Sequence, residues 1–227
     1  MLLLFHLGIE LQSTKVGIIF IFSYFYTAMQ RIFADFSALE GTNCYCAEES
    51  AKQIRSLVAG LPLQAVHDIG TGDYHYISLF WLERIGEPFQ LVLFDHHPDD
   101  QPGAFGDGLL SCGSWVADAR RLPLLRADRW IRDAADFPAL ASLPDLPVYL
   151  SIDLDVLSEE YARTDWDQGR MTLGELKDAL RTVIATRRII GVDLCGGNTP
   201  EKGASPEDIA LNAATGEALY DLFCDLS

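Results

Sequence analysis

The sequence predicts an α/β protein: a three-layer α/β/α sandwich with a mostly parallel sheet. Three observations carry this. Short apolar runs at 64–69, 90–94, 147–152 and 188–192 have the length and continuity of strands buried on both faces. Between them lie segments with helical periodicity, and strands alternating with helices imply parallel pairing covered on both sides. The chain has 227 residues, about half apolar, with no internal repeat, low-complexity tract or linker, which suits one domain with a sizeable core.

Taken in order, 31–36 is a short strand, followed by the loop Gly41-Thr42-Asn43-Cys44-Tyr45-Cys46. Residues 47–59 read as a helix, because Glu48 and Glu49 fall in a first turn where the helix dipole favours negative charge. The strand 64–69 runs into Gly70-Thr71-Gly72, and 76–85 reads as a helix with one apolar face. Thr172 with Glu175 three residues on forms a capping-box pattern that opens a helix reaching 184. A last helix spans 206–223, with Pro206 in its first turn.

Residues 1–28 differ from the rest. The run 16–29 is almost wholly apolar but holds about 14 residues, where a spanning helix needs about 20. The expectation is a translation start at Met29, with 1–28 a non-native start or a disordered or apolar extension and 29–227 the working domain; a targeting segment or integral structure is the alternative. Five irregularly spaced cysteines do not form a secreted disulfide framework, so a reducing, cytoplasmic compartment is expected. The net charge of −16 disfavours nucleic acid and anionic membranes, which are bound through positive surface. A small-molecule substrate is the expected partner, and a homo-oligomer is left open.

Three polar clusters each follow an apolar strand: Gly72-Asp73-Tyr74-His75, Asp95-His96-His97-Pro98-Asp99 and Ser151-Ile152-Asp153-Leu154-Asp155. The carboxyl ends of parallel strands form the ligand-binding edge of such sheets. Residues two apart in extended chain point the same way, so Asp95, His97 and Asp99 share one aim, and Asp153 and Asp155 another. Each cluster alone could be a polar turn. Together, four aspartates and two histidines exceed the needs of one ion and suit two divalent cations about 4 Å apart. Carboxylates with a minority of imidazoles favour Mn²⁺, and less selectively Fe²⁺, Co²⁺ or Zn²⁺.

These clusters resemble the signatures of the ureohydrolases (arginase, agmatinase and formiminoglutamase): Gly-Gly-Asp-His-Ser, Asp-Ala-His-x-Asp and Ser-x-Asp-x-Asp, in this order. The resemblance covers roughly residues 65–195 and implies an arginase-like fold. It implies one ion on His75, Asp95, Asp99 and Asp153, and a second on Asp95, His97, Asp153 and Asp155. It further implies a bridging hydroxide that attacks a linear C–N bond, with Asp155 moving its proton. Gln168-Gly169-Arg170-Met171-Thr172 and Gly191-Val192-Asp193 are similar to the family's later motifs.

Two departures matter. The ureohydrolases place a glutamate after the Asp193 position to bind a guanidinium or amidine. Here the stretch is Leu194-Cys195-Gly196-Gly197-Asn198. Where arginases and agmatinases carry a proton-shuttling histidine, this chain has Ser111-Cys112-Gly113-Ser114-Trp115. Cys112 is therefore the expected catalytic counterpart, and Asn43, Cys44, Cys46, Ser114 and Asp193 are expected at the substrate mouth. Cys195 and Cys224 read as packing, and Trp115 and Trp166 as pocket walls or core aromatics. The reading is a metal-dependent hydrolase of an amidine, guanidine or amide other than arginine. Its rivals are a deacetylase-like amidohydrolase with one zinc, and a non-catalytic binding protein stabilised by metal.

Overall fold

The computed structural model describes residues 29–102 and 108–224, and the backbone alone of 3–11 and 14–22. Residues 1, 2, 12, 13 and 23–28 of the expected extension lie outside the described residues. The strands are β1 (Leu3–Leu11), β2 (Thr14–Phe22), β3 (Gln30–Ala34), β4 (Tyr45–Cys46), β5 (Ala65–Asp68), β6 (Phe89–Phe94), β7 (Leu110–Ser111), β8 (Leu125–Ile131), β9 (Val148–Asp153) and β10 (Ile189–Cys195). The α-helices are α1 (Glu48–Ala59), α2 (Ser78–Leu82), α3 (Trp115–Ala119), α4 (Leu173–Thr186) and α5 (Pro206–Cys224).

The main sheet has the order β1-β2-β3-β5-β10-β9-β6-β8. Its six strands from β3 to β8 are all parallel, as the sequence predicts. A hairpin of β1 and β2 continues it in antiparallel fashion beyond β3. Alternate residues of the central strands feed two cores. Leu91, Leu93 and Tyr149 join Ile54, Phe80 and Trp115 beneath α1, α2 and α3. Val92, Phe94, Leu150 and Ile152 join Leu176, Leu180 and Phe223 beneath α4 and α5. This period-2 division makes every residue of β6, β9 and β10 buried.

The predicted capping box is present: Thr172 Oγ1 accepts from the Glu175 amide at 3.2 Å while Glu175 accepts from the Thr172 amide at 2.8 Å. The helix expected at 76–85 is shorter. A 3₁₀ turn over Gly72–Ile77 takes its start, and α2 follows with every residue buried. Strand β8 has no counterpart in the sequence reading. It lies at the sheet edge, so Arg126, Asp128 and Arg129 interrupt its apolar pattern without cost. Among the described residues no helix is long and apolar enough to cross a membrane.

Strands β5 and β6 follow one another in the chain but are separated in the sheet by β10 and β9. The carboxyl ends of these four strands therefore face one crevice at the point where the strand order reverses, where open α/β sheets bind ligands. Gly191 in β10 is needed for this packing. A Cβ there would stand 2.6 Å from the Tyr149 ring and 2.8 Å from the Leu63 carbonyl oxygen. Gly191→Ala is expected to destabilise the protein by about 1–3 kcal/mol, the usual range for overpacking, seen as a lower urea midpoint at unchanged slope.

Candidate metal centre

His75 enters the crevice from the turn after β5, Asp95 from the end of β6, and Asp153 from the end of β9. All six metal-ligand residues expected from the sequence converge there. His75 Nδ1 lies 3.0 Å from Asp95 Oδ2, 3.0 Å from Asp99 Oδ2 and 3.5 Å from Asp153 Oδ2. His97 Nδ1 lies 2.8 Å from Asp155 Oδ2 and 3.7 Å from Asp95 Oδ1. Two compact donor groups result, His75–Asp95–Asp99 and Asp95–His97–Asp155, and Asp95 belongs to both.

The surrounding backbone fixes each carboxylate. Asp95 Oδ1 accepts from the His97 amide at 2.6 Å, and Asp155 Oδ1 from the His96 amide at 2.9 Å. Asp153 Oδ1 accepts from the Asp155 amide at 2.9 Å. Asp99 adopts φ 49°, a left-handed conformation uncommon outside glycine, and the fully buried Trp115 donates to its Oδ2 at 2.7 Å. Behind His75, Nε2 donates to Ser151 Oγ at 2.8 Å, and Ser151 donates to Asp193 Oδ1 at 2.7 Å. The hydroxyl proton is committed to Asp193, so the imidazole proton sits on Nε2.

The face that Nδ1 presents is the test of whether a metal fits. Burial opposes a charge on His75, yet Cys195, Asp95 and Asp99 together hold its pKa well above the ordinary imidazole value, so without metal Nδ1 also carries a proton between the carboxylates, in the place a cation would take. The charges point the same way. Asp153 is held well above the usual carboxylate range by burial, Asp155 and Asp95. Asp155 is pushed up to about 6 by burial and Asp95, against the pull of His97. His97 is raised to about 10 by its bonds to Asp155 and Asp95. Acids and imidazoles shifted upward together mark a site short of positive charge. Four buried aspartates carry a formal −4, which the two imidazoles alone leave uncompensated.

The site opens into a cavity of about 330 Å³, room for a small ligand. Beyond the donors its wall includes Gly72, Pro98, Gln101, Cys112, Gly113 and Trp166. Trp166 crosses the His97 ring edge-on, with centroids 6.0 Å apart, and donates to Asp73 Oδ1 at 3.1 Å. Lys202 pairs with both Asp73 and Asp165. This clamp ties together the loops after β5, β9 and β10. The sequence names Trp166 only as one of two alternatives and gives no signal for Lys202, which is remote in the chain.

Of the other expected residues, Cys112 is in the wall, and its thiol is pushed up to about 12 by burial, Cys44 and Asp99. Cys44 accepts at its carbonyl from the Cys112 amide at 2.9 Å; its thiol, raised to about 11 by burial and Asp73, bonds Asn43 Oδ1 at 3.0 Å. Asn43 is exposed, and Cys46 packs in the core. Ser114 is buried and bonds Ser111 Oγ at 2.8 Å. Asp193 is fully buried behind His75, where burial raises it to about 6. Asn43, Cys44, Cys46, Ser114 and Asp193 are not among the cavity-lining residues.

The same architecture occurs in solved structures. A hypothetical agmatinase from Burkholderia thailandensis superposes with a TM-score of 0.55 at 21% identity, over 76% of this chain and 62% of that one. Proclavaminate amidino hydrolase from Streptomyces clavuligerus gives 0.59 at 20%, over 80% and 72%. Trypanosoma cruzi formiminoglutamase, solved with Mn²⁺, gives 0.58 at 13%, over 79% and 72%. The fold is that of the ureohydrolases. No protein-family model matches the chain. An uncharacterized protein of Thermotoga maritima is 34% identical over 145 residues, 58% of each chain. This chain thus spans less than two thirds of that relative and of the agmatinase.

Within the stretch 194–198, where the expected glutamate is absent, the surroundings of one residue favour glycine. Gly196 has φ +88°, and a Cβ built on it would stand 2.0 Å from Asp153 Oδ1. A side chain there displaces a carboxylate of the centre.

The pKa shifts set a pH dependence. Asp155 and Asp193 rise from an ordinary 3.8 to about 6, so the folded, metal-free protein holds more protons than the unfolded chain between these values. His97, raised from 6.5 to about 10, acts in the same direction at higher pH. The metal-free protein therefore loses stability as pH rises through each window, and a bound cation replaces the missing protons. Thermal melts at one fixed free Mn²⁺ concentration, a hundred times the Kd at pH 8, should show a gain of roughly 5 °C or more at pH 8 and a smaller gain at pH 5. An equal gain at both pH values would contradict carboxylate and imidazole ligation.

Proposed function

We propose that this protein is a metal-dependent hydrolase of a linear C–N bond in a small guanidine, amidine or amide, working with two divalent ions, Mn²⁺ foremost. The observation that carries this reading is His75 Nδ1 facing Asp95, Asp99 and Asp153, with Asp95 shared by a second group containing His97 and Asp155. His75, Asp95, Asp99 and Asp153 would hold one ion, and Asp95, His97, Asp153 and Asp155 the other. Bound there, divalent ions bring the pKa of water toward neutrality and polarise the carbon to be attacked. The likeness to an agmatinase, an amidino hydrolase and a formiminoglutamase supports C–N bonds as the target.

The chain's own residues divide the remaining work. Asp155, at the cavity wall, takes a proton from the nucleophilic side and returns it to the leaving nitrogen. Cys112, with its thiol near 12, stays protonated at neutral pH and shapes the wall instead of shuttling protons. Asp193 and Ser151 hold the His75 ring in its tautomer. Trp166 offers a flat, partly exposed ring beside His97, against which a planar guanidino, amidino or amide group can lie. With Gly196 in place of an acid, free arginine is a poor substrate, and the small cavity favours shorter compounds.

The reading is tested by loading the protein with Mn²⁺ and assaying release of urea or ammonia from a panel of guanidino, amidino and amide compounds. Turnover of at least one compound is expected, abolished by chelation. Asp153→Asn should lower kcat by about a hundredfold or more while the protein remains folded. A protein that loses thermal stability in this variant but turns over nothing in any form is a metal-stabilised binding protein, and the hydrolase reading is then wrong. Trp166→Ala should leave metal content unchanged and raise KM about tenfold for the compound that is turned over.

A further inference from the structure

Strands β9 and β10 run in parallel, and their last residues, Asp153 and Cys195, are register partners. The Cys195 thiol is buried, at 2% exposure, and donates to Asp153 Oδ2 at 3.0 Å. That oxygen is the one facing His75 Nδ1 at 3.5 Å. Donor atoms of His75, Asp153 and Cys195 all lie within 4.8 Å of one another, as compact as the two groups built on Asp95. Alternation along β10 places Asp193 and Cys195 on the same side. Asp193 supports His75 from behind through Ser151, and Cys195 stands one step nearer the strand's carboxyl end, where the donors gather. Past the thiol, the left-handed turn at Gly196 lays the backbone directly against Asp153.

We propose that Cys195 is a further ligand of the ion held by His75 and Asp153, so that this centre carries a sulfur donor. The inference rests on the metal-centre reading given above and adds to it a ligand of a different kind. Binding of the ion displaces the thiol proton to solvent and leaves a thiolate, which the cation stabilises. A soft donor among carboxylates shifts preference from Mn²⁺ toward Zn²⁺, Co²⁺ or Fe²⁺. The two ions of the pair would then differ in kind, one site with a sulfur and the other with oxygen and nitrogen alone.

The test uses the full chain loaded with Co²⁺ or with Zn²⁺, with metal content measured in parallel. The Co²⁺ form is expected to show a sulfur-to-cobalt charge-transfer band in the near ultraviolet. X-ray absorption at the zinc edge should show a sulfur neighbour at about 2.3 Å. Cys195→Ser should lose both features and move the Zn²⁺-over-Mn²⁺ preference at least tenfold toward Mn²⁺. Cys112→Ser and Cys44→Ser should keep both. Bound ions with no sulfur neighbour in the unaltered protein overturn the ligand assignment and leave the metal centre standing. Features that vanish in Cys112→Ser instead also overturn it. Failure to bind any of the three metals overturns both. The absorption measurement on the unaltered chain decides the question even if Cys195→Ser does not fold.

Discussion

Everything in this structure is arranged around an uncompensated concentration of negative charge. Four carboxylates are drawn from β6, β9 and the loops that follow them into one buried place. Burial weakens their hydration, so hydrogen bonds, imidazoles and cations must do much of the work of stabilising them. The chain supplies the first two in full: amides of His96, His97 and Asp155, the indole of Trp115, and two imidazoles whose own affinity for protons rises in consequence. The parallel sheet makes the concentration tolerable, because strand ends present the groups on a rigid edge above two well-filled cores.

The second tier is as ordered as the first. His75 is oriented through Ser151 by Asp193, two residues that never reach the cavity. On the opposite side, Trp166, Asp73, Lys202 and Asp165 join three loops that are far apart in the chain. The first tier decides what can be bound at the donors. The clamp decides the shape offered to whatever approaches them. Gly196 belongs to the first tier, since its backbone presses directly on Asp153.

The convergence of these residues was legible because their spacing follows strand geometry: Asp95-x-His97-x-Asp99 and Asp153-x-Asp155 each sit against an apolar run that declares itself. The central strands were legible for the same reason, as both of their faces are buried. Strand β8 was not, because an edge position permits charges that break the pattern. The turn at Gly72–Ile77 was read as loop and helix start, since a 3₁₀ turn has no distinct apolar period. The mouth residues were the least legible. Asn43, Cys46 and Ser114 were placed there by position alone, and their side chains turn toward solvent, core and their own loop. Lys202 was missed because its pairing depends on Asp73, far away in the chain.

The order of the strands carries a consequence for how the site comes into being. The turn bearing His75 and the strand bearing Asp95 are made early, but the places between them in the sheet belong to β10 and β9. Until those late strands slot in, His75 and Asp95 have no reason to be neighbours, and Asp153 is absent altogether. Pairing across so much intervening chain is slow, because the entropy of closing the loop is lost before the contacts are gained. An ion arriving at a growing chain would find only scattered ligands. The convergence of these groups is thus a property of the completed sheet and not of any one stretch of the chain.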